Sequence, residues 1–345
     1  MPIARSRYPG TVLTLLACFC LASGCQKSNP NSPKSVELLN VSYDPTRELY
    51  HDLNTAFAVS HEHATGVKVT VRQSHGGSSS QARAVVDGLE ADVVTLALWS
   101  DVDLLRKKGL IADGWEDRLP NHSLPYTSTV VFVVRKGNPK AIRDWPDLIR
   151  PGIEIITPNP KTGGGAKLNF LAAWGSVTVR GGTSDEAEAF VTQLFRQVPV
   201  LDSGARAATI TFSQKNIGDV HLTWENEAHL EVAESKGKLE IVYPPISILA
   251  EPTVAVVDAV VQRKKTGAVA EAYLRFLYEP EAQEIIAQRH YRPIDPEVRR
   301  KHVADFPEIE LFPVTTIAKD WGDAFEKFFG DGAVFDRIFD TKPPS

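Results

Sequence analysis

Hydrophobic and polar residues alternate along the first third of the chain in blocks that predict strand, helix, strand, helix, strand. Short apolar runs bounded by turn residues are typical of buried strands, and they occur at Val36–Tyr43, Val67–Val71 and Ala91–Leu98. After the first run, an amphipathic helix is predicted with Asp44 as its N-cap, an apolar face that includes Leu49, and an end at Gly66. This order predicts a mostly parallel sheet with helices on its faces.

A second set of elements follows a polar, proline-bearing stretch at Leu119–Tyr126. Strands are predicted at Val130–Val134, Ile153–Thr157, Asp219–Trp224, Leu239–Tyr243 and Pro252–Val260, and helices at Asp185–Val198 and within Ala268–Gln288. The chain would cross to a second lobe near residues 120–126 and return near 244–253. We therefore expect an α/β protein of two lobes joined by a hinge, a clamshell.

The chain is predicted to have five parts, one of which is formed by two separate ranges. Residues 1–24 are a signal peptide, and residues 25–35 are a tether. Residues 36–119 and 250–312 form the first lobe, and residues 120–249 form the second. Residues 313–345 are a C-terminal extension, to which the sequence assigns no role.

Four predicted helices begin directly where a strand or turn ends, and three of these junctions contain glycine. They lie at Asp44-Pro45, Gly76-Gly77, Gly163–Gly165 and Gly204. Glycine lets the backbone approach a ligand closely, and a helix start offers free N–H groups with roughly +0.5 of an elementary charge. One glycine turn alone is explained by a tight connection. Four such junctions at the strand ends of a two-lobed protein indicate a site for a small oxyanion in the cleft.

The composition changes this picture little: the chain is 43% hydrophobic and carries a formal net charge of −5. An acidic chain without a Lys/Arg cluster is not expected to bind nucleic acid. Any anion must therefore be held by local donors rather than by the overall charge.

Three local patterns are tested for catalysis or metal binding. His61-Glu62-His63 lacks the spacing of a zinc-protease helix, and Gly76-Gly77-Ser78-Ser79-Ser80 lacks the last glycine of a nucleophile elbow. The triple glycine before Lys167 lacks the Lys-Ser/Thr ending of a P-loop. We expect no catalytic residue, no metal and no cofactor, while a hydrolase built from scattered Ser, His and Asp residues stays open as an alternative.

The first residues predict export. Arg5 and Arg7 precede an apolar stretch, Thr11–Ala22, that is too short to span a bilayer. Small residues before Cys25 predict a bacterial lipobox, in which Cys25 is lipidated and anchors the protein to a membrane without spanning it. An ordinary secretory signal is the alternative. Cys25 and the other two cysteines all lie in this leader or at its end, so the mature body has no disulfide. We expect a periplasmic location or one on the outer face of the cytoplasmic membrane.

Six ordered motifs resemble the bacterial sulfate-binding proteins, the solute-binding components of sulfate/thiosulfate ABC importers. They are Val41–Tyr50, Arg72–Ser78, Asp92–Leu98, Asn159–Thr162 with its glycines, Leu201–Arg206 and Gly218–Ala228. The resemblance runs from about Val36 to Pro293. It implies a type II periplasmic-binding-protein clamshell that captures sulfate or thiosulfate, acts as a monomer and delivers its ligand to an ABC permease.

The resemblance also implies the ligand-binding residues, none of which presents a cation to the anion. They are the backbone N–H groups of Asp44, Ser78, Gly164, Gly165 and Ala205, the indole N–H of Trp224, and the position of Gly163. The family usually has serine where this chain has Gly163, and that hydroxyl is a donor. Its loss leaves the choice between sulfate and thiosulfate open. The alternatives are a receptor for phosphate or molybdate, and an esterase-type enzyme acting on sulfate or phosphate esters.

Overall fold

The computed structural model describes residues 35–340. Its strands are β1 (Ser35–Tyr43), β2 (Lys68–Gly76), β3 (Val93–Leu96), β4 (Tyr126–Arg135), β5 (Ile155–Pro158), β6 (Leu201–Asp202), β7 (Val220–Trp224), β8 (Leu239–Val242), β9 (Ile246–Ala250), β10 (Thr253–Val256), β11 (Arg292–Pro293) and β12 (Glu310–Phe312). Its α-helices are α1 (Arg47–Thr65), α2 (Ser78–Val86), α3 (Trp99–Lys107), α4 (Pro120–Ser123), α5 (Gly164–Thr178), α6 (Ser184–Arg196), α7 (Ala205–Thr209), α8 (Glu225–Glu234), α9 (Asp258–Lys264), α10 (Gly267–Phe276), α11 (Pro280–Gln288), α12 (Pro296–Lys301), α13 (Trp321–Phe329) and α14 (Val334–Asp340). The predicted signal peptide, the lipidation residue Cys25 and the tether up to residue 34 lie outside the described residues.

The first sheet has the strand order β10-β3-β1-β2. β1 runs parallel to β2 and β3, so Tyr43 lies beside Gly76 and Ser42 lies beside Thr95 at one edge of the sheet. β10 is antiparallel to β3. The helix α1 buries Leu49 and neighbouring apolar residues of its predicted apolar face. The first sheet is therefore mostly parallel, as predicted, and its carboxyl ends meet at one edge.

The second sheet has the order β12-β9-β4-β7-β5-β6, with β8 and β11 also paired to β4. β5 is parallel to β6 and β7, but β4 is antiparallel to β7, β8 and β9. The prediction that each lobe has a mostly parallel sheet is wrong for this lobe. The reason is that β4 brings the chain in from the first lobe, and so runs opposite to the strands that lead toward the site. Two sheets flanked by helices confirm the predicted two-lobed α/β clamshell.

The chain passes between the two sheets at two places. β4 begins at Tyr126, and two residues separate the end of β9 at Ala250 from the start of β10. Ser128 and Ala250 are paired, so the two passing strands lie side by side. The predicted strand Pro252–Val260 is too long, because α9 begins at Asp258. A short apolar run does not by itself distinguish strand from buried helix.

The C-terminal segment belongs to the second lobe's core. β12 pairs with β9, although the predicted boundary at residue 312 would place this strand in the first lobe. The buried residues of α13 and α14 pack in the same apolar cluster as the strands of the second sheet. Phe312 lies so close to Gly175 that a Cβ there would meet its ring at 2.1 Å. The other predicted boundaries stay predictions.

The helix α5 is buried on nearly every side. It packs against α6, β9 and the C-terminal aromatic residues, and Leu168, Phe170 and Leu171 are fully buried. The glycine stretch at its start is thus held by a rigid element in the middle of the second lobe. Among residues 35–340, no helix is both long enough and apolar enough to cross a bilayer.

Candidate functional site

A small cavity of about 30 Å³ lies where the carboxyl ends of the strands from the two sheets meet. All seven sequence-predicted residues line it: Asp44, Ser78, Gly163, Gly164, Gly165, Ala205 and Trp224. A cavity whose volume is measured in the same way needs about 10–15 Å³ to hold one water molecule. The cavity therefore has the size for a small group such as a tetrahedral anion, and it brings together segments from both lobes.

Five helical segments begin at this cavity. They are the 3₁₀ turn at Asp44–Thr46 and the helices α2, α5, α7 and α8, which follow Gly77, Gly163, Gly204 and Trp224. In none of the five does the residue before the helix cap it through a side-chain hydrogen bond. The first N–H groups of a helix have no partner within it, and they carry the positive end of its dipole. The cavity is therefore surrounded by donors with a positive potential.

Trp224 supplies a side-chain donor. It is 3% exposed, and its indole Nε1 has no hydrogen-bond partner among the described residues. A buried donor without an acceptor costs about 1–3 kcal/mol, so a group that accepts this N–H is expected in the cavity. The ring of Tyr43 packs against the indole, with 5.3 Å between the ring centroids, and helps to hold its orientation.

Three glycines allow the lobes to approach each other around the cavity. A Cβ on Gly77 would lie 2.4 Å from the carbonyl oxygen of Thr162, and one on Gly164 would lie 2.9 Å from the Cβ of Ser78. A Cβ on Gly204 would lie 3.3 Å from Oδ2 of Asp44. Each contact joins a first-lobe segment to a second-lobe segment. The described conformation is therefore a closed clamshell, in which a side chain at Gly77 or Gly164 would not fit.

The hydroxyl of Ser78 is directed away from the cavity. It donates to Oδ2 of Asp101 at 2.5 Å and accepts the N–H of Ala97 at 3.0 Å. Its partner is a carboxylate rather than a histidine, so the Ser–His contact of a nucleophile and its base is not formed at this serine. The backbone N–H of Ser78 remains at the start of α2 to serve the cavity.

Among residues 35–340, no lysine or arginine lines the cavity. Lys167, on α5, is 3% exposed, and its Nζ donates to Ser79 Oγ at 2.7 Å instead of reaching the cavity. Two acids do line it. The Asp44 carboxylate accepts from Arg47 Nη2 at 2.7 Å, while burial raises the pKa of Glu227 to about 8, so that this acid is mostly neutral at pH 7.

Two expectations about individual residues need correction or refinement. Asp44 is not the N-cap of α1: the 3₁₀ turn starts at Asp44, Tyr43 precedes it, and the Asp44 side chain pairs with Arg47. Gly163 lines the cavity, but its N–H donates to the carbonyl of Asn159 at 3.1 Å. It is the residue before α5.

The sequence profile of a family described as bacterial extracellular solute-binding protein matches residues 38–292. This chain belongs to that family. It is 55% identical over 308 residues to the sulfate-binding protein of Salmonella typhimurium, covering 88% of this chain and 93% of the relative. It is 49% identical over 304 residues to the thiosulfate-binding protein of Pseudomonas aeruginosa, covering 88% and 92% of the two chains.

The structural comparison agrees with the sequence comparison. The sulfate-binding protein SubI from Mycobacterium tuberculosis matches with a TM-score of 0.78 at 34% identity, covering 85% of this chain and 99% of that chain. The predicted resemblance is confirmed. The extracellular location in the family's description agrees with the predicted export.

Sequence reasoning missed two features of this solute-binding protein's cavity. It ended the strand at Trp224 and did not predict the helix α8 after it, and it did not include Glu227. The acids at Glu225 and Glu227, in the first turn of α8, were the available signal for a helix start. Within residues 35–340, no group of three or more His, Cys, Asp and Glu residues could hold a metal ion.

Proposed function

We propose that this solute-binding protein closes on a sulfate ion between its lobes and delivers it to an ABC permease. The observation that carries the proposal is the buried, unpartnered indole N–H of Trp224, which shares one cavity with five uncapped helix starts. The relatives named for sulfate and thiosulfate support the same ligand class. Binding without catalysis accounts for the hydroxyl of Ser78 being held by Asp101.

In this proposal every contact with the anion is a hydrogen bond from an uncharged donor. The donors are the backbone N–H groups of Asp44, Ser78, Gly164, Gly165 and Ala205, and the indole of Trp224. Sulfate carries no proton at neutral pH, so a cavity of donors satisfies it. Monohydrogen phosphate would turn its O–H toward a donor, and one unmade buried bond costs about 1–3 kcal/mol. This favours sulfate over phosphate.

Thiosulfate is the second candidate, and Gly163 is the reason. A Cβ built at Gly163 has only ordinary contacts, the nearest being the Cβ of Ala166 at 3.6 Å. A serine would therefore fit, and glycine leaves both space and one donor fewer. Thiosulfate is larger than sulfate, and its terminal sulfur accepts hydrogen bonds weakly. It therefore fits a site with glycine at this position better than a site with serine.

Replacing Trp224 with phenylalanine tests the proposed function directly. Trp224→Phe keeps an aromatic ring but removes the donor, and a hydrogen bond to a charged group contributes about 1.5–3 kcal/mol. We expect calorimetry to show sulfate affinity reduced by about tenfold to a hundredfold. Trp174→Phe is the matched control, because Trp174 is a buried tryptophan of α5 that does not line the cavity.

Unchanged sulfate affinity in Trp224→Phe would remove the indole from the binding site. A panel of sulfate, thiosulfate, phosphate and molybdate in the same calorimeter separates the oxyanion receptors, and a preference for phosphate at pH 7 contradicts the assignment. Turnover of a chromogenic sulfate or phosphate ester that is lost in Ser78→Ala would instead favour the enzyme alternative.

The anchor and the partners form a separate part of the proposal. Lipidation of Cys25 would hold the protein, as a monomer, at the outer face of the cytoplasmic membrane beside its permease. Mass spectrometry of the mature N-terminus should find an acylated Cys25, and Cys25→Ala should release the protein from the membrane fraction. An unmodified N-terminus at another residue would favour the ordinary secretory signal.

A further inference from the structure

Glu227 lies between two cavities that meet at the site. The residue is 6% exposed and lines the anion cavity. It also lines an adjoining cavity of about 140 Å³, whose walls include Glu48 of α1 and His229 of α8. A carboxyl group in this position interacts electrostatically with any anion that the helix starts bind.

The groups around Glu227 do little to stabilise its charged form. Its hydrogen bond from Asn226 Nδ2 to Oε1 is long, at 3.4 Å. After burial itself, the charges of Glu48, Glu231 and Asp44 raise its pKa, and Arg206 of α7 lowers it. After burial itself, the charge of Glu227 is among those that raise the pKa values of Tyr43 and Tyr291.

A bound dianion adds a further like charge to this environment. Two negative charges that share a poorly solvated space repel each other much more strongly than they would in water. Like charges nearby disfavour ionisation of a carboxyl group, so the protonated acid is the form compatible with an occupied cavity. The helix starts can stabilise the anion, but they cannot screen a second negative charge at the cavity wall.

We propose that Glu227 is a proton-linked affinity determinant, so that the cavity accepts a divalent oxyanion only while the Glu227 carboxyl is protonated. This inference rests on the proposed function, because it assumes that the anion occupies the cavity. It adds the requirement that the Glu227 carboxyl is protonated, which the hydrogen-bond donors alone do not impose. Removing the proton places a carboxylate beside the ligand and weakens binding.

The sign and the pH window follow from the environment of Glu227. Burial raises its pKa to about 8 in the described conformation, and a bound dianion raises it further. Sulfate affinity is therefore constant at neutral pH, where the acid is already protonated. Above about pH 8 it falls by up to about tenfold per pH unit, and each binding event then takes up one proton.

The test is calorimetry of the mature full-length protein with sodium sulfate between pH 6.5 and 9.5. Each pH is measured in two buffers of different ionisation enthalpy, which reports the protons taken up. We expect the affinity of the wild-type protein to fall above about pH 8 with uptake approaching one proton. In Glu227→Gln, which keeps the shape but cannot ionise, affinity should not change with pH over this range.

Glu234→Gln is the matched control, because it removes the same charge from the same helix at an exposed position that lines neither cavity. It should keep the wild-type pH dependence. A flat wild-type profile without proton uptake overturns the inference, as does a Glu227→Gln profile that falls like the wild type. The proton-uptake measurement needs no variant, so it decides the question even if Glu227→Gln does not fold.

Failure of the proposed function gives a different result. If sulfate does not bind at pH 7, or if Trp224→Phe binds it unchanged, the site assignment fails before the pH dependence is reached. If Trp224→Phe weakens binding at every pH by the same factor and the wild type shows no proton uptake, the site stands and only the role of Glu227 is lost.

Discussion

Gly77 shows how a single missing side chain decides whether the lobes can meet. Its backbone, with φ −60° and ψ 130°, suits any residue, so the glycine is not required for a turn. What requires it is the carbonyl oxygen of Thr162, only 2.4 Å from where a Cβ would stand. The absence of a side chain at Gly77 is therefore needed for the lobes to close, and not for the first lobe to fold.

Gly77→Ala should therefore weaken binding without weakening the unliganded fold. A methyl group against a backbone oxygen must move the lobes apart, and we expect sulfate affinity to fall at least about tenfold, or about 1.4 kcal/mol. Calorimetry measures the affinity, and thermal unfolding without ligand measures the fold. Gly76→Ala is the control, because its Cβ would meet only the Gln81 side chain at 3.5 Å or more. Equal losses in both variants would disprove the steric explanation.

Gly163→Ser should shift the ligand preference toward sulfate. The backbone at Gly163 has φ −120° and ψ 129°, and a Cβ has room, so a serine hydroxyl can be placed beside the anion without strain. One added donor contributes about 1 kcal/mol, or about a fivefold change in the sulfate-to-thiosulfate affinity ratio. Gly163→Ala fills the same space without a hydroxyl. A shift toward thiosulfate in the serine variant would contradict this interpretation of the glycine.

At the scale of elements, the C-terminal segment is the clearest difference from a simple two-lobe plan. α13 and α14 cover α5, whose start bears the triple glycine, with a cluster of aromatic rings. The ring centroids of Phe328 and Trp174 lie 4.9 Å apart with an interplanar angle of 67°, and Phe328 is completely buried. The segment therefore supports the helix that presents Gly164 and Gly165 to the cavity.

Phe328→Ala should destabilise the protein strongly. Truncating a fully buried phenylalanine removes apolar burial and leaves a cavity, which typically costs about 3–5 kcal/mol. Urea unfolding measures the free energy of unfolding. Phe325→Ala on the same helix is the matched control, since Phe325 is 43% exposed and its loss should cost much less. A loss below about 1 kcal/mol for Phe328→Ala would mean that α13 is not part of the second lobe's core.

At the scale of the whole molecule, the two lobes also meet through a pair of stacked histidines. His229 of α8 and His290, which follows α11, have ring centroids 3.9 Å apart and an interplanar angle of 7°. Burial, and then the neighbouring His290, lower the pKa of His229 to about 4, while Asp305 raises it. Burial also lowers the pKa of His290, with Asp305 opposing and Arg289 and His302 adding to the effect. Both rings are neutral at pH 7.

Acid should therefore destabilise the protein partly through this pair. A histidine whose pKa is lowered on folding contributes stability above its unfolded pKa of about 6.5, and that stability is lost as the pH falls toward about 4. Thermal unfolding at pH 7 and pH 4.5 should show a smaller difference for His229→Gln than for the wild type. His63→Gln, on the exposed end of α1, should retain the wild-type difference. Identical differences in all three proteins would exclude the pair.

Much of the site could be predicted because its information is local. A strand followed by a helix start is a short pattern, with glycine at three of the four junctions, and each of Asp44, Ser78, Gly164 and Ala205 lies at such a junction. The carboxyl ends of parallel strands meet at one edge, which implies that these junctions converge. The structure brings all seven predicted residues to one cavity, while their contacts with a ligand remain proposals.

The sequence by itself determined most of the strands and helices and the helix starts that line the cavity, because those properties depend on near neighbours. Only the tertiary structure decided that β4 runs against its neighbours and that the C-terminal helices complete the second lobe. It also decided that Glu227 is buried beside the cavity. The direction of strand pairing and the burial of a residue depend on contacts between residues far apart in the chain. A local sequence pattern does not specify those contacts.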